Sequence, residues 1–172
     1  MRLTTTSGAT VTLGDADFRA QGGEGRVYVR GPLAYKVYDD QARALPERKL
    51  RELAVLSAPN VVRPLELLVD RSHRPVGYTM RRVERAHPLC RLFPPAFRTR
   101  AGLTPEATLD LVERLREGVA HVHAAGLLVV DLNEMNLLVA EGFDEVFFVD
   151  VDSYQTPSFP ATALMESVRD RQ

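Results

Sequence analysis

Asp131 and Asn136, in the stretch Val129-Val130-Asp131-Leu132-Asn133-Glu134-Met135-Asn136, and Asp150, after Phe147-Phe148-Val149, are the residues whose types and spacing could do chemistry. Each lies at the start or end of a short apolar run, with Leu137-Leu138-Val139 between them. Two carboxylates and an amide delivered by strand ends are hard oxygen donors, the kind that gather at one point beside a bound phosphate. The rest of the chain can be read as what positions them.

Upstream, a strand near residues 18–21 runs into Gly22-Gly23-Glu24-Gly25, and residues 26–30 then alternate polar and apolar as a half-buried strand does. Gly31-Pro32 breaks that strand, and residues 33–38 resume it. A dinucleotide or Walker-type glycine loop leads from strand to helix, whereas this one leads from strand to strand. It can serve as a hairpin lid whose backbone N–H groups approach phosphate oxygens, or as a plain glycine-rich turn. Lys36 favours the first reading, because a lysine among Ala34, Val37 and Tyr38 on a strand needs an anion. Glu47 and Glu52, on a helix predicted over residues 46–56, are the carboxylates available to it.

The remaining elements follow from punctuation and period. Residues 2–6 and 9–13 read as a hairpin about Ser7-Gly8, and residues 61–62, 65–69 and 76–83 as strands around a turn at 70–75. The first lobe is thereby expected to hold five strands and one helix. Residues 86–97 are proline-rich and read as irregular, which places a boundary near Val83 and two regions, 1–83 and 84–172. Thr104-Pro105 starts a helix that Gly126 closes, with Leu111, Leu115, Val119 and Val122 on one face. His121 and His123, in its last turn, are expected to serve the helix dipole or packing. The fold class is α+β.

Composition sets outer limits. The 172 residues carry 22 Lys and Arg against 23 Asp and Glu, so no electrostatic argument favours nucleic acid or an anionic membrane as the main partner. The single cysteine, Cys90, cannot form an internal disulfide, and no apolar run is long enough to span a bilayer. With no apolar leader at Met1-Arg2-Leu3-Thr4, a cytoplasmic protein is expected.

In this order the motifs resemble the protein-kinase fold, and within it a bacterial kinase-like group often joined to helix-hairpin-helix regions. Gly22, Gly23 and Gly25 with Val27 resemble the Gly-rich loop, in a shorter version. Leu33-Ala34-Tyr35-Lys36 resembles the V-A-I-K strand, and Arg51-Glu52-Leu53 before Pro59-Asn60 resembles the αC helix and its following turn. Residues 131–136 resemble the catalytic loop, and Asp150 stands where D-F-G stands.

The resemblance implies a kinase-like N-lobe, an antiparallel sheet plus the αC helix, with a truncated C-lobe. It implies ATP and Mg²⁺ as cofactors and Ser/Thr hydroxyls as acceptors, including its own Ser153, Thr156, Ser158 or Thr162. Asp131 would be the base and Lys36, held by Glu52, the phosphate contact. Asn136 and Asp150 would be metal ligands. Val27, Ala34, Met80, Arg82, Val83 and Leu138 would surround the nucleotide with the glycine loop. A nucleotide-binding pseudokinase acting as scaffold and a small-molecule kinase are the alternatives.

Three departures accompany the resemblance. Val129-Val130 replaces His-Arg, Asn133 stands where a lysine commonly contacts the γ-phosphate, and Val151-Asp152 replaces Phe-Gly. Only residues 153–172 follow the Asp150-Val151-Asp152 segment, so a surface around residues 111–122 and 147–149 is expected to lie partly bare. A homodimer or a covering partner is the expected consequence.

Overall fold

Alternation of side chains along the N-terminal strands builds one antiparallel sheet. In the computed structural model, which describes residues 1–161, seven strands run in the order β2-β1-β6-β7-β5-β4-β3. They are β1 (Arg2–Thr5), β2 (Thr10–Thr12), β3 (Phe18–Gln21), β4 (Gly25–Arg30), β5 (Leu33–Tyr38), β6 (Pro64–Val69) and β7 (Pro75–Arg81). The expected five strands become seven because the N-terminal hairpin joins the same sheet, Thr4 opposite Val69 and Thr5 opposite Leu68. Gly31, with φ 59°, takes the first central position of the β4–β5 turn, where a type II′ hairpin needs glycine.

Period two sorts β5 into two faces. Leu33, Tyr35 and Val37 join a core with Leu3, Leu13, Tyr28 and Leu68, and Ala34, Lys36 and Tyr38 point the other way. The helix α1 (Glu47–Leu53) packs against β6. It is shorter than the span expected from its leucines, because Pro46 caps it in an extended conformation and Ala54 N–H closes the last turn onto Arg51 O. Leu56, 1% exposed, is buried outside the helix.

The chain divides into two units, one of residues 1–54 and 63–82, the other of residues 55–62 with Val83 onward. Residues 55–62, expected within the first region, pack with the second. In that second unit, residues 86–97 are more regular than their prolines suggest. They contain β8 (Ala86–Pro88) and a 3₁₀ turn (Leu89–Leu92), and Pro95 opens α2 (Pro95–Ala101), which Gly102 ends at φ 69°. Residues 61–62 form no strand, only a single parallel bridge from Val61 to Phe148.

The long helix α3 (Pro105–Ala124) starts where Thr104 Oγ1 accepts from Ala107 N–H at 3.1 Å. β9 (Leu137–Ala140) pairs with β10 (Val146–Phe148) and β8. Val112 of α3 is 60% exposed, whereas Leu111, Val122 and Phe148 are 6%, 0% and 1% exposed, so only part of the surface expected to be bare is so.

Phe148 is buried because α3 leaves room for it: a Cβ on Gly118 would stand 2.2 Å from the Phe148 ring. A mid-helix glycine costs about 1 kcal/mol in propensity, and the buried ring offsets that cost. Gly118→Ala is therefore expected to destabilise the fold by about 1–3 kcal/mol in urea unfolding, and Phe148→Leu in the same chain should recover part of the loss.

Candidate functional site

In the first unit, the β4–β5–β7 register gathers four of the residues expected around a nucleotide. Val27 lies opposite Lys36, and Ala34 lies between Val29 and Met80, so Val27, Ala34, Lys36 and Met80 share one face of the sheet. Lys36 is 5% exposed. Its Nζ lies 5.3 Å from the Tyr38 ring centre and 5.8 Å from that of Tyr78, within cation–π range. Tyr78, directly opposite Lys36, is a neighbour that sequence spacing does not reveal. Glu52 accepts from Arg48 Nε at 3.2 Å and is mostly shielded, whereas Glu47 pairs with Arg51 on the exposed side of α1. Arg82 is half-buried at the end of β7, where its N–H donates to Pro32 O at 3.0 Å.

The three glycines of the loop have different physical reasons. Gly22 and Gly23 are exposed at the hairpin tip, closed by Gly22 N–H to Gly25 O at 2.9 Å, and a Cβ on either would clash with nothing. Gly25 is buried inside β4, where a Cβ would meet Val37 O at 2.3 Å. Its glycine is required by strand packing, leaving Gly22 and Gly23 as the pair free to serve a ligand.

In the second unit, residues 128–136 are tied at one end by Leu128, which exchanges two backbone hydrogen bonds with Gln155 at 3.0 and 3.1 Å. At the other end Asn136 leads into β9. Between them three side chains form one network. Asn133 Nδ2 donates to Asp131 Oδ1 at 2.9 Å, and Asn136 Nδ2 donates to Asp131 Oδ2 at 2.8 Å and to the Asp131 carbonyl at 3.0 Å. Asn133 Oδ1 in turn accepts from the N–H groups of Met135, 2.8 Å, and Asn136, 3.2 Å. The Asp131 carboxylate is thus pinned by two amides, and the Asn136 amide is held with its nitrogen inward.

Asp150 is joined to this loop through the backbone, since Val149 N–H donates to Asn136 O at 3.0 Å. It adopts a left-handed conformation, φ 60° and ψ 34°, which is costly for a residue with a Cβ and is found where the surroundings enforce it. The enforcing contacts are visible. Phe148 is seated at Gly118, its N–H donates to Asn60 O at 2.8 Å, and Asn60 Nδ2 binds the Val146 carbonyl at 3.0 Å. Beyond Asp150, Ser153 Oγ donates back to its carbonyl at 2.8 Å. Leu138 and Val83 are half-buried in this unit. Among the described residues no group of three or more His, Cys, Asp or Glu could hold a metal ion.

The hydroxyls considered for self-modification differ. Thr156 is 3% exposed and Ser153 and Ser158 are half-buried; Thr162 lies outside the described residues. Tyr154, 2% exposed, has its phenol pushed above the usual range by burial and, secondarily, by the charge of Asp150. The folded state therefore resists ionisation that the unfolded state undergoes near pH 10, so its stabilising contribution is complete below that value and declines above it by about 1.4 kcal/mol per pH unit. Tyr154→Phe is expected to flatten the loss of urea midpoint between pH 10 and 11 relative to the natural chain.

Comparison with protein-family models and with curated proteins finds no match to this chain. Among the described residues no helix is long and apolar enough to cross a membrane.

Proposed function

We propose that this chain is a protein-kinase-like phosphotransferase that uses ATP and Mg²⁺ and transfers the terminal phosphoryl group to Ser/Thr hydroxyls. The observation that carries the reading is the Asp131–Asn133–Asn136 network coupled through Val149 N–H to Asp150. With Nδ2 spent on Asp131, the only polar atom Asn136 can offer outward is Oδ1, a hard oxygen donor, and Asp150 supplies a carboxylate. One carboxylate and one amide oxygen, without a full protein cage, suit Mg²⁺, which keeps waters and shares phosphate oxygens. When bound, the ion neutralises charge on the phosphates.

The chain's own residues divide the remaining work. Asp131, fixed in orientation by two amides, accepts the proton of the attacking hydroxyl. Lys36, with Glu52 as its counter-charge, contacts the α- and β-phosphates, and the N–H groups at Gly22 and Gly23 cover them. Val27, Ala34 and Met80, on one face of the first unit's sheet, supply apolar surface for the base.

A nucleotide-binding pseudokinase is the second reading, and Asn133 favours it: its amide is turned onto Asp131 and no cation occupies that loop position. Incubation with labelled ATP and Mg²⁺, with and without generic acceptor proteins, separates the two. Transfer of label supports the enzyme, ATP-induced thermal stabilisation without transfer supports the pseudokinase, and neither effect would sink both.

A further inference from the structure

The turn between β6 and β7 borders a cavity of about 350 Å³ in the first unit, lined by Arg2, Thr4, Val69, Asp70, Arg71 and His73. Its charge is one-sided. Asp70, the one acid in the lining, is consumed by its own turn: Oδ1 accepts from Ser72 and Arg74 N–H at 2.8 and 3.0 Å, and Oδ2 binds the Arg74 guanidinium at 3.0 and 3.2 Å. These donors hold its carboxyl below the usual range, so it stays a spent anion. Among the described residues, the side chains of Arg2 and Arg71 have no hydrogen-bond or ion-pair partner. Two guanidinium groups thus border one concavity whose carboxylate is already engaged by its own turn.

The strands explain why these groups meet. Arg2 and Thr4, two apart on β1, project to the same side, and Thr4 lies opposite Val69 at the end of β6, where the turn begins. His73 takes a left-handed conformation, φ 58°, at a position where glycine is the easier residue. An imidazole N–H is thereby brought to the cavity at some conformational cost.

We propose that this cavity binds a phosphate monoester dianion, held by Arg2 and Arg71 with Thr4 and His73 as further donors. Planar guanidinium forks match a tetrahedral dianion in paired hydrogen bonds, and Val69 offers apolar surface to the organic part. The volume, larger than a bare phosphate needs, lies at the small end of ligand sites. The assignment is independent of the phosphotransferase reading and concerns different residues.

The test is a titration of the ¹⁵N-labelled full chain at constant ionic strength with inorganic phosphate, O-phosphoserine or acetate. Saturable amide shifts at residues 2–5 and 69–74 are expected for both phosphates, with acetate at least tenfold weaker. The two phosphate arms distinguish a site for the ion alone from one that also takes an ester. Phosphate held at the loop of residues 131–136 would shift a separate set of amides and would persist in the variants. Arg71→Gln should weaken binding at residues 69–74 at least fivefold, and Arg2→Gln with Arg71→Gln should abolish it. His73→Gly should weaken binding while raising the thermal midpoint, a pair of opposite changes that a purely structural role does not give. Unmoved amides at 2–5 and 69–74, equal response to acetate, or unchanged affinity in the double variant would overturn the proposal.

Discussion

Asp150→Asn is expected to lower phosphoryl transfer by about 10²–10³-fold while leaving the fold intact, measured as label transfer beside a urea unfolding curve. At φ 60° most side chains would be strained, but asparagine is among the few that adopt this conformation readily, so the turn into residues 151–153 should survive. What is lost is the negative charge that a phosphate-bound Mg²⁺ would share. The same substitution carries an internal check, because Asp150 contributes to the raised phenol of Tyr154. Without the carboxylate, Tyr154 should ionise at a lower pH, followed by its absorbance near 295 nm, which reports the charge removal even in a chain with no activity.

Asp131→Asn is a less clean substitution, and the network says why. Each Asp131 oxygen receives an amide N–H, from Asn133 and from Asn136. An asparagine there presents one oxygen and one NH₂, so one amide faces another donor. The expected result is a transfer loss of about 10²–10⁴-fold together with about 1–3 kcal/mol of stability, both visible in the same pair of measurements. Full activity in either variant would sink the phosphotransferase reading.

Much of this framework is legible from residue order, for identifiable reasons. Residues 26–30 alternate and Gly31-Pro32 bounds them, so period and punctuation agree on the end of β4. Thr104-Pro105 and Gly126 bracket α3 because caps are local chemistry. Prolines misled where they open a helix instead of breaking one: Pro94-Pro95 at the start of α2 reads as loop until Gly102 is recognised as its end. The remaining features are tertiary. That Gly25 serves strand packing depends on how closely Val37 O approaches it, and that Gly118 makes room for Phe148 depends on β10, thirty positions away in sequence. The inward turn of Asn133 is likewise invisible to spacing, since asparagine can serve a turn or a ligand equally well.

Lys36→Met and Gly77→Ala should separate function from stability on adjacent strands. Lys36 is 5% exposed between two tyrosine rings, and methionine keeps most of its apolar stem. Removing a buried ammonium relieves its desolvation cost and gives up its contact with the two rings, so the net change in stability is expected to be within about 1 kcal/mol. On the phosphotransferase reading transfer should nevertheless fall about 10²–10³-fold, because that reading sets the Lys36 charge against the phosphates. Gly77, in β7 opposite Val37, has the reverse profile. A Cβ there would stand 2.1 Å from the Lys36 carbonyl oxygen, and neither atom belongs to a side chain that could swing away. The strands must separate or shift, at a cost of about 3 kcal/mol or more in urea unfolding. Because β5 then moves with Lys36 on it, transfer should fall as well, through position and not through charge. Restoring the glycine rescues both properties, whereas no change at Gly77 restores the charge that Lys36→Met removes.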